Sequence, residues 1–249
     1  MSEITVRPLD SISDFQRCVQ IAREVWGDAE LDTEPAVTYV IAHHTGGQVL
    51  GAFEGDTMVG FTKAYVGLHD HTPYLHSHMA AVLPSHRNRH IGRQLKLAQR
   101  DEALSRSIRL IEWTFDPLEI KNAHFNINRL GAISRRYILD FYGITTSPLH
   151  RGMPTDRLLV EWHLDSPRVI AAIGDLPVEP RTYAASIHLP NTVVQASTKG
   201  EPNATPALIE LQSRLRAEFR QWFAKGHAVT SVQSSSLGVD YCLSPFSDF

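Results

Sequence analysis

Two histidines two positions apart, His76 and His78, stand a few residues ahead of a cationic run, Arg87–Asn88–Arg89–His90–Ile91–Gly92–Arg93. Imidazoles and a basic turn this close together suit proton transfer beside a bound anion. An imidazole titrates near neutrality, so it can take a proton from an amine, directly or through a water. Residues i and i+2 of a strand project from one face, so YLHSHMAAVLP would present both rings together. Behind it, a helix beginning near Ile91 would offer unpaired N–H groups and a positive dipole end. Arg87, Arg89 and Arg93, with Lys96 one turn on, would surround that terminus, which suits an anion such as a pyrophosphate. Gly92 would let a ligand approach the backbone. Plainer readings stand beside these: a solvated basic helix start, and histidines hydrogen-bonded within a sheet. His69 and His71 form a second pair of the same spacing, which raises zinc. Neither carboxylate nor cysteine stands at ligand spacing among the four, so no metal is expected.

Several elements must hold these residues. ITVRPL reads as a strand, and Ser11 to Asp14 offer caps for a helix carrying Phe15, Val19, Ala22 and Trp26 on one face and ending at Gly27. A second helix is expected from about Glu34 to His44, stopped by Gly46–Gly47. QVLGAFEGDTMVGFTKAYVG predicts a hairpin turning at Glu54–Gly55–Asp56. The His-x-His strand closes at Pro84, and Ile91, Leu95 and Ala98 set a helix running to about Ser107. RLIEWTFD is the next strand, with Trp113 and Phe115 alternating into the core. A helix over about 120–131 and the strand DRLLVEWHL follow. Beyond about residue 165, prolines at 167, 177, 180, 190, 202 and 206 mark looser connections. The stripe Leu208, Leu211, Leu215, Phe219 and Trp222 still predicts an amphipathic helix, and AVTSVQ and VDYCLSPF two strands.

The six positions from Arg87 to Gly92 resemble the Arg/Gln-x-x-Gly-x-Gly/Ala signature of the GNAT acyltransferase superfamily. His90 replaces the first glycine and Gly92 keeps the second. Histidine accepts a narrower range of backbone angles than glycine, which burdens the tightest part of the turn. Val82 and Pro84 stand at the usual hydrophobic and proline places. The element order matches over about residues 3–165, and Ala123 and Gly131 fall where the family often has an alanine and the glycine of its Tyr-x-x-x-Gly-Phe segment.

The resemblance implies a mixed α/β (α+β) fold, a GNAT-like central sheet, mostly antiparallel, flanked by helices. Residues 1–165 would form the acyl-coenzyme A-binding domain and 166–249 a C-terminal α/β extension packing on or extending the sheet. The co-substrate would be acetyl-coenzyme A or another acyl-coenzyme A. Backbone groups of Ala80 and Val82 would pair with its pantetheine arm. The turn from Arg87 through Asn88, Arg89, His90, Ile91 and Gly92 to Arg93 would hold the pyrophosphate, and Asn122 would touch the cofactor further along. Aligned through Val82 and the turn, His76 and His78 fall where arylalkylamine N-acetyltransferases carry a His-x-His base pair. The family's acid tyrosine falls at Ile127, which cannot donate a proton; Tyr137 and Tyr142 lie near it in sequence. Asn126, Asn128 and Arg129 would line the cleft or cap a helix, with Arg129 reading as a surface charge. Asp116 reads either as a contact for a substrate ammonium or as an Asp-Pro turn.

Composition bounds the partners. The chain has 249 residues, 43% hydrophobic and 20% charged, with a net charge of -3, which fits a globular protein and excludes disorder and fibres. Near-neutral charge gives no reason to expect nucleic acid. No run approaches the roughly 18–20 apolar residues of a membrane span. Cys18 and Cys242 form no CxxC pair, and MSEITVRPLD has no cationic start before an apolar run, so a cytoplasmic protein is the expectation. The reading is an N-acyltransferase using a histidine base on a small-molecule amine. The alternative is a catalytically degenerate acyl-coenzyme A-binding or regulatory module, because His90 and Ile127 depart from the family pattern. The tail stays open as a degenerate second half, a lid, a homodimer surface or a cover for the sheet edge.

Overall fold

The computed structural model describes residues 3–27, 33–143, 152–176, 182–191 and 206–246. The fold is mixed α/β, with mostly antiparallel strands flanked by helices. The chain divides into two compact units, residues 1–112 with 146–149, and residues 113–145 with 150–249.

The first unit holds β1 (Ile4–Pro8), α1 (Ile12–Trp26), α2 (Ala36–His44), β2 (Gln48–Glu54), β3 (Thr57–His69), β4 (Thr72–Val82), α3 (Ile91–Ser105) and the start of β5 (Leu110–Phe115). Strands β1 to β4 pair antiparallel in sequence order, and β4 pairs parallel with β5 at Leu75–Ile111 and His76–Glu112. Helix α1 starts where the Ser11 hydroxyl accepts the Asp14 N–H (3.1 Å) and stops at Gly27, left-handed at φ 63°. It buries Phe15, Cys18, Ile21 and Ala22; Val19 and Trp26, expected on that face, are only half-buried because the 3.6-residue period rotates them to its edge. Helix α2 begins at Ala36, two residues later than expected. The ring of Pro35 disfavours helical angles for the residue before it, so Glu34 stays out of the helix.

Strand β4 carries a bulge. Lys63 pairs with Met79 and Ala64 with Ser77, which leaves His78 as the extra residue. Ser77 is buried, while His76 and His78 are half-buried.

The second unit contains the end of β5, α4 (Ile120–His124), β6 (Ile133–Ile138), β7 (Arg157–His163), α5 (Pro167–Ile173), β8 (Ala185–Pro190), α6 (Pro206–Ala224), β9 (His227–Ser234) and β10 (Gly238–Pro245). Its strand order is β7-β6-β9-β10-β8, with β6 meeting β9 at Ser134–Val229. The single helix expected over 120–131 is instead a short α-helix followed by a π turn, Phe125–Arg129, closed by the Leu130 N–H on the Phe125 carbonyl (3.0 Å). Gly131 follows at φ 73°, where a Cβ would come within 2.9 Å of the Arg168 carbonyl oxygen. The Arg168 guanidinium gathers the carbonyls this geometry leaves over, donating to Gly131 (2.8 Å), Ile127 (3.1 Å) and Thr230 (2.6 Å). Helix α6 buries Leu208, Leu211, Leu215 and Phe219, with Trp222 half-buried. Among the described residues no helix is long and apolar enough to cross a membrane.

Candidate active site

His78 is the centre of a polar cluster built from three elements of the first unit. Its Nε2 meets Glu34 Oε1, and the other oxygen of Glu34 accepts from the Lys63 ammonium. Lys63 projects from β3 and is wholly buried; it also donates to the Thr38 hydroxyl (2.9 Å). Its ammonium lies 4.3 Å from the Tyr39 ring centroid and 4.8 Å from that of Tyr65. Tyr65 in turn faces His78, ring centroids 5.7 Å apart. Burial pushes the Glu34 carboxyl up, but the hydrogen bonds and charges of His78 and Lys63 outweigh it and hold the group at about 2.

His76 lies beside His78, ring centroids 6.4 Å apart and planes 34° apart, so the two imidazoles share a neighbourhood as the spacing predicts. Burial, then the neighbouring His78, then Lys96, pull His76 down to about 4, and it is uncharged near neutrality. Lys96 departs from expectation. It does not join the cationic turn but points inward from α3, donating to Ser77 Oγ (2.7 Å) and Gln99 Oε1 (2.9 Å). Burial pulls its ammonium down to about 7. The second histidine pair serves other ends: His69 bonds Glu112 (3.1 Å) and stacks on Tyr74, while His71 turns the β3–β4 hairpin at φ 68°. Among the described residues no three histidine, cysteine, aspartate or glutamate side chains gather as a metal site.

The turn after β4 keeps its tight geometry despite the missing glycine. Asn88 and His90 both adopt left-handed angles, φ 62° and 60°, and His90 is the residue from which α3 starts. Asparagine and histidine are among the few side chains that tolerate this region. The His90 carbonyl accepts from Arg93 (3.0 Å) and Gln94 (3.1 Å). Ile91 is buried, Arg93 half-buried, and Arg87 exposed. Gly92 is open: a Cβ there would meet nothing within 4 Å. Arg89 is engaged by Glu54 through two bonds (2.7 and 3.2 Å), and His86 bonds the same carboxylate (3.0 Å). The Arg89 hydrogen bond, against desolvation, holds Glu54 at about 2 with help from His86. Ala80 and Val82 lie past the β4–β5 pairing, and on their other side they face Thr62 and Gly60 of β3.

The remaining candidates lie in the second unit. Asn122 is exposed on α4. Ile127 is wholly buried. Tyr137 gives its hydroxyl to Asp156 (2.9 Å) and is pushed far up by burial, whereas Tyr142, more exposed, bonds the Thr114 hydroxyl (3.1 Å). Asn128 is structural: its amide accepts from and donates to Val232 of β9 (3.0 and 2.7 Å). Arg129 pairs with Asp175 at the surface (3.2 Å), and the backbone carbonyl of buried Asn126 accepts from the Ala132 N–H (3.1 Å). Asp116 accepts the Leu118 N–H (2.8 Å), the Asp-Pro turn of the two readings. Trp113 and Phe115 are core, as expected.

Sequence reasoning missed Glu34, Lys63 and Glu54. Lys63, a lysine inside a strand rich in apolar residues, was the one visible signal; Glu34 and Glu54 become site residues only through distant partners.

Residues 15–126 match the profile of the Acetyltransferase (GNAT) family. No curated protein matches the chain in sequence. Among solved structures, the ribosomal-protein-S18-alanine N-acetyltransferase of Escherichia coli is similar over 66% of this chain and 96% of its own, with a TM-score of 0.53 and 15% identity. The yncA structure of Salmonella typhimurium, solved with its cofactor acetyl-CoA, gives a TM-score of 0.53 at 17% identity, again over 66% and 96%. A NatC complex bound to a Gag peptide and CoA gives 0.51 at 15%, over 65% and 98%. The fold is that of the GNAT acetyltransferases.

Proposed function

We propose, from the match of residues 15–126 to the acetyltransferase (GNAT) family, that this chain is an N-acyltransferase moving an acetyl or other acyl group from acyl-coenzyme A to an amine. The observation that carries the reading is the run of β4 into α3. Two neighbouring imidazoles lead directly into a left-handed turn and an open helix start at Gly92. Residues 1–165 would carry the transferase and 166–249 the extension. The neighbours solved with acetyl-CoA or CoA support the same co-substrate here.

In this reading the 87–93 turn holds the pyrophosphate through its N–H groups, with exposed Arg87 as the available cation. Ala80 and Val82 present strand backbone to the pantetheine arm. Asn122 touches the cofactor further along. His76 or His78 removes a proton from the acceptor's ammonium through water, and the freed nitrogen attacks the thioester carbonyl. A C–N bond forms, the C–S bond breaks, and the thiolate is protonated by the second proton that the nitrogen sheds.

The acceptor is a small-molecule amine in this reading, and the cytoplasm its setting. One observation favours a second reading, a coenzyme-binding or regulatory module without turnover: buried Ile127 stands where the family's tyrosine would be. Coenzyme A release over a panel of small amines and peptide N-termini separates the two. Turnover of a small amine that falls about 100-fold in His78→Ala supports the transferase. Binding of acetyl-coenzyme A without release for any amine supports the module. Turnover confined to peptides overturns the small-molecule acceptor.

A further inference from the structure

We infer that Glu34 and Lys63 are positioning residues for His78: the carboxylate fixes the imidazole with its proton on Nε2 and leaves Nδ1 as the atom that accepts the substrate's proton. The inference rests on the reading of His78 as a base and adds to it the nitrogen that acts and the groups that select it.

An ionised carboxylate only accepts hydrogen bonds, so the ring nitrogen facing Glu34 Oε1 must be the one bearing hydrogen. That nitrogen is Nε2, and in the neutral ring the lone pair is then on Nδ1. Among the described residues Nδ1 has no hydrogen-bond partner, and the side chain keeps 26% of its surface exposed. The β4 bulge is what brings the ring to Glu34, because the inserted residue is His78 itself.

Lys63 has a separate task. A bare carboxylate against an imidazole would stabilise the imidazolium and slow proton release. The Lys63 ammonium on the second oxygen offsets that charge, so His78 faces a nearly neutral pair. A buried ammonium is costly, and a Lys–Glu pair in such a place is weakly stabilising at best. Two aromatic faces and the Thr38 hydroxyl nonetheless hold it in position. The titratable and charged groups around His78 are Glu34 ahead of α2, Tyr39 of α2 behind the lysine, Lys63 and Tyr65 of β3, and His76 of β4. Lys96 of α3 acts on His76 from behind the strand.

The test is nitrogen-15 NMR of histidine-labelled full-length protein, paired with pH–rate profiles. In the wild type the neutral His78 ring should show the Nε2–H tautomer. In Glu34→Gln the amide oxygen is claimed by Lys63 and the amide NH2 turns to Nε2, so the proton should move to Nδ1. With an acceptor in hand, kcat should fall about 100-fold while KM changes little. In Lys63→Met the carboxylate is unscreened, and the titration midpoint of His78 and the acid limb of the rate profile should both rise by about 1 pH unit. A wild-type Nδ1–H tautomer, or a Lys63→Met midpoint that stays or falls, overturns the inference. The wild-type spectrum and Lys63→Met keep the test decisive if Glu34→Gln does not fold. The spectra need no turnover: an Nε2–H ring in a protein that acylates nothing would leave the positioning standing and sink the transferase reading.

Discussion

Glu34 and His78 lie 44 positions apart in sequence, and their side chains are hydrogen-bonded to each other. Two local features make this contact. Pro35 keeps Glu34 out of α2, and the β4 bulge re-aims His78. A carboxylate ahead of α2, a buried ammonium of β3 and an imidazole of β4, the strand that leads to the turn, thus form one hydrogen-bonded unit.

The neutral state of His76 ties stability to pH. Its folded value of about 4 lies below that of an unfolded imidazole, about 6.5. The unfolded chain therefore binds the proton first, and the stability this residue contributes above pH 6.5 is lost as pH falls toward 4. Thermal melts of wild type and His76→Gln across that window should show a shallower decline in the variant. Parallel declines would contradict it.

Gly92 separates fold from ligand. A Cβ meets nothing there, and alanine is the better helix former by about 0.5–1 kcal/mol. Gly92→Ala should melt at or above the wild-type temperature and keep its affinity for acetyl-coenzyme A, because the signature takes glycine or alanine there, whereas the carboxylate of Gly92→Asp should weaken binding about tenfold. Equal affinity in Gly92→Asp would move the pyrophosphate elsewhere.

His90 holds a left-handed angle that glycine adopts without steric cost. His90→Gly should leave the unfolding free energy from a urea melt within about 1 kcal/mol of wild type and keep coenzyme binding at least as tight. A clear loss of binding would show that the imidazole itself contacts the ligand.

The tail helix is a structural member of its unit. Leu215 is wholly buried and Trp222 only half so. Leu215→Ala should cost about 2–5 kcal/mol in a urea melt, well beyond Trp222→Ala. Equal and small losses would mean that α6 packs loosely.

Much of this was legible in the chain. The cap at Ser11, the hairpin around Gly55, the histidine pair and the α6 stripe are local patterns, and the structure carries each of them. Helix α5 was hidden because Pro167 reads as a loop marker, whereas Ser166 caps a helix with proline in its first turn. Strand β6 was hidden because Arg135 and Arg136 break its apolar alternation; both arginines reach buried Glu161. The π turn depends on Arg168, far along the chain. Glu34 was invisible for the same kind of reason, since its role lies in partners 29 and 44 positions away.

The most direct measurement is a calorimetric titration of the full chain with acetyl-coenzyme A, beside Arg87→Ala. Arg87 is exposed and has no ion pair among the described residues, so its loss should spare the fold. Saturable binding at one site, weakened in Arg87→Ala, is the predicted result. No heat of binding with acetyl-, succinyl- or free coenzyme A would contradict an acyl-coenzyme A-dependent transferase.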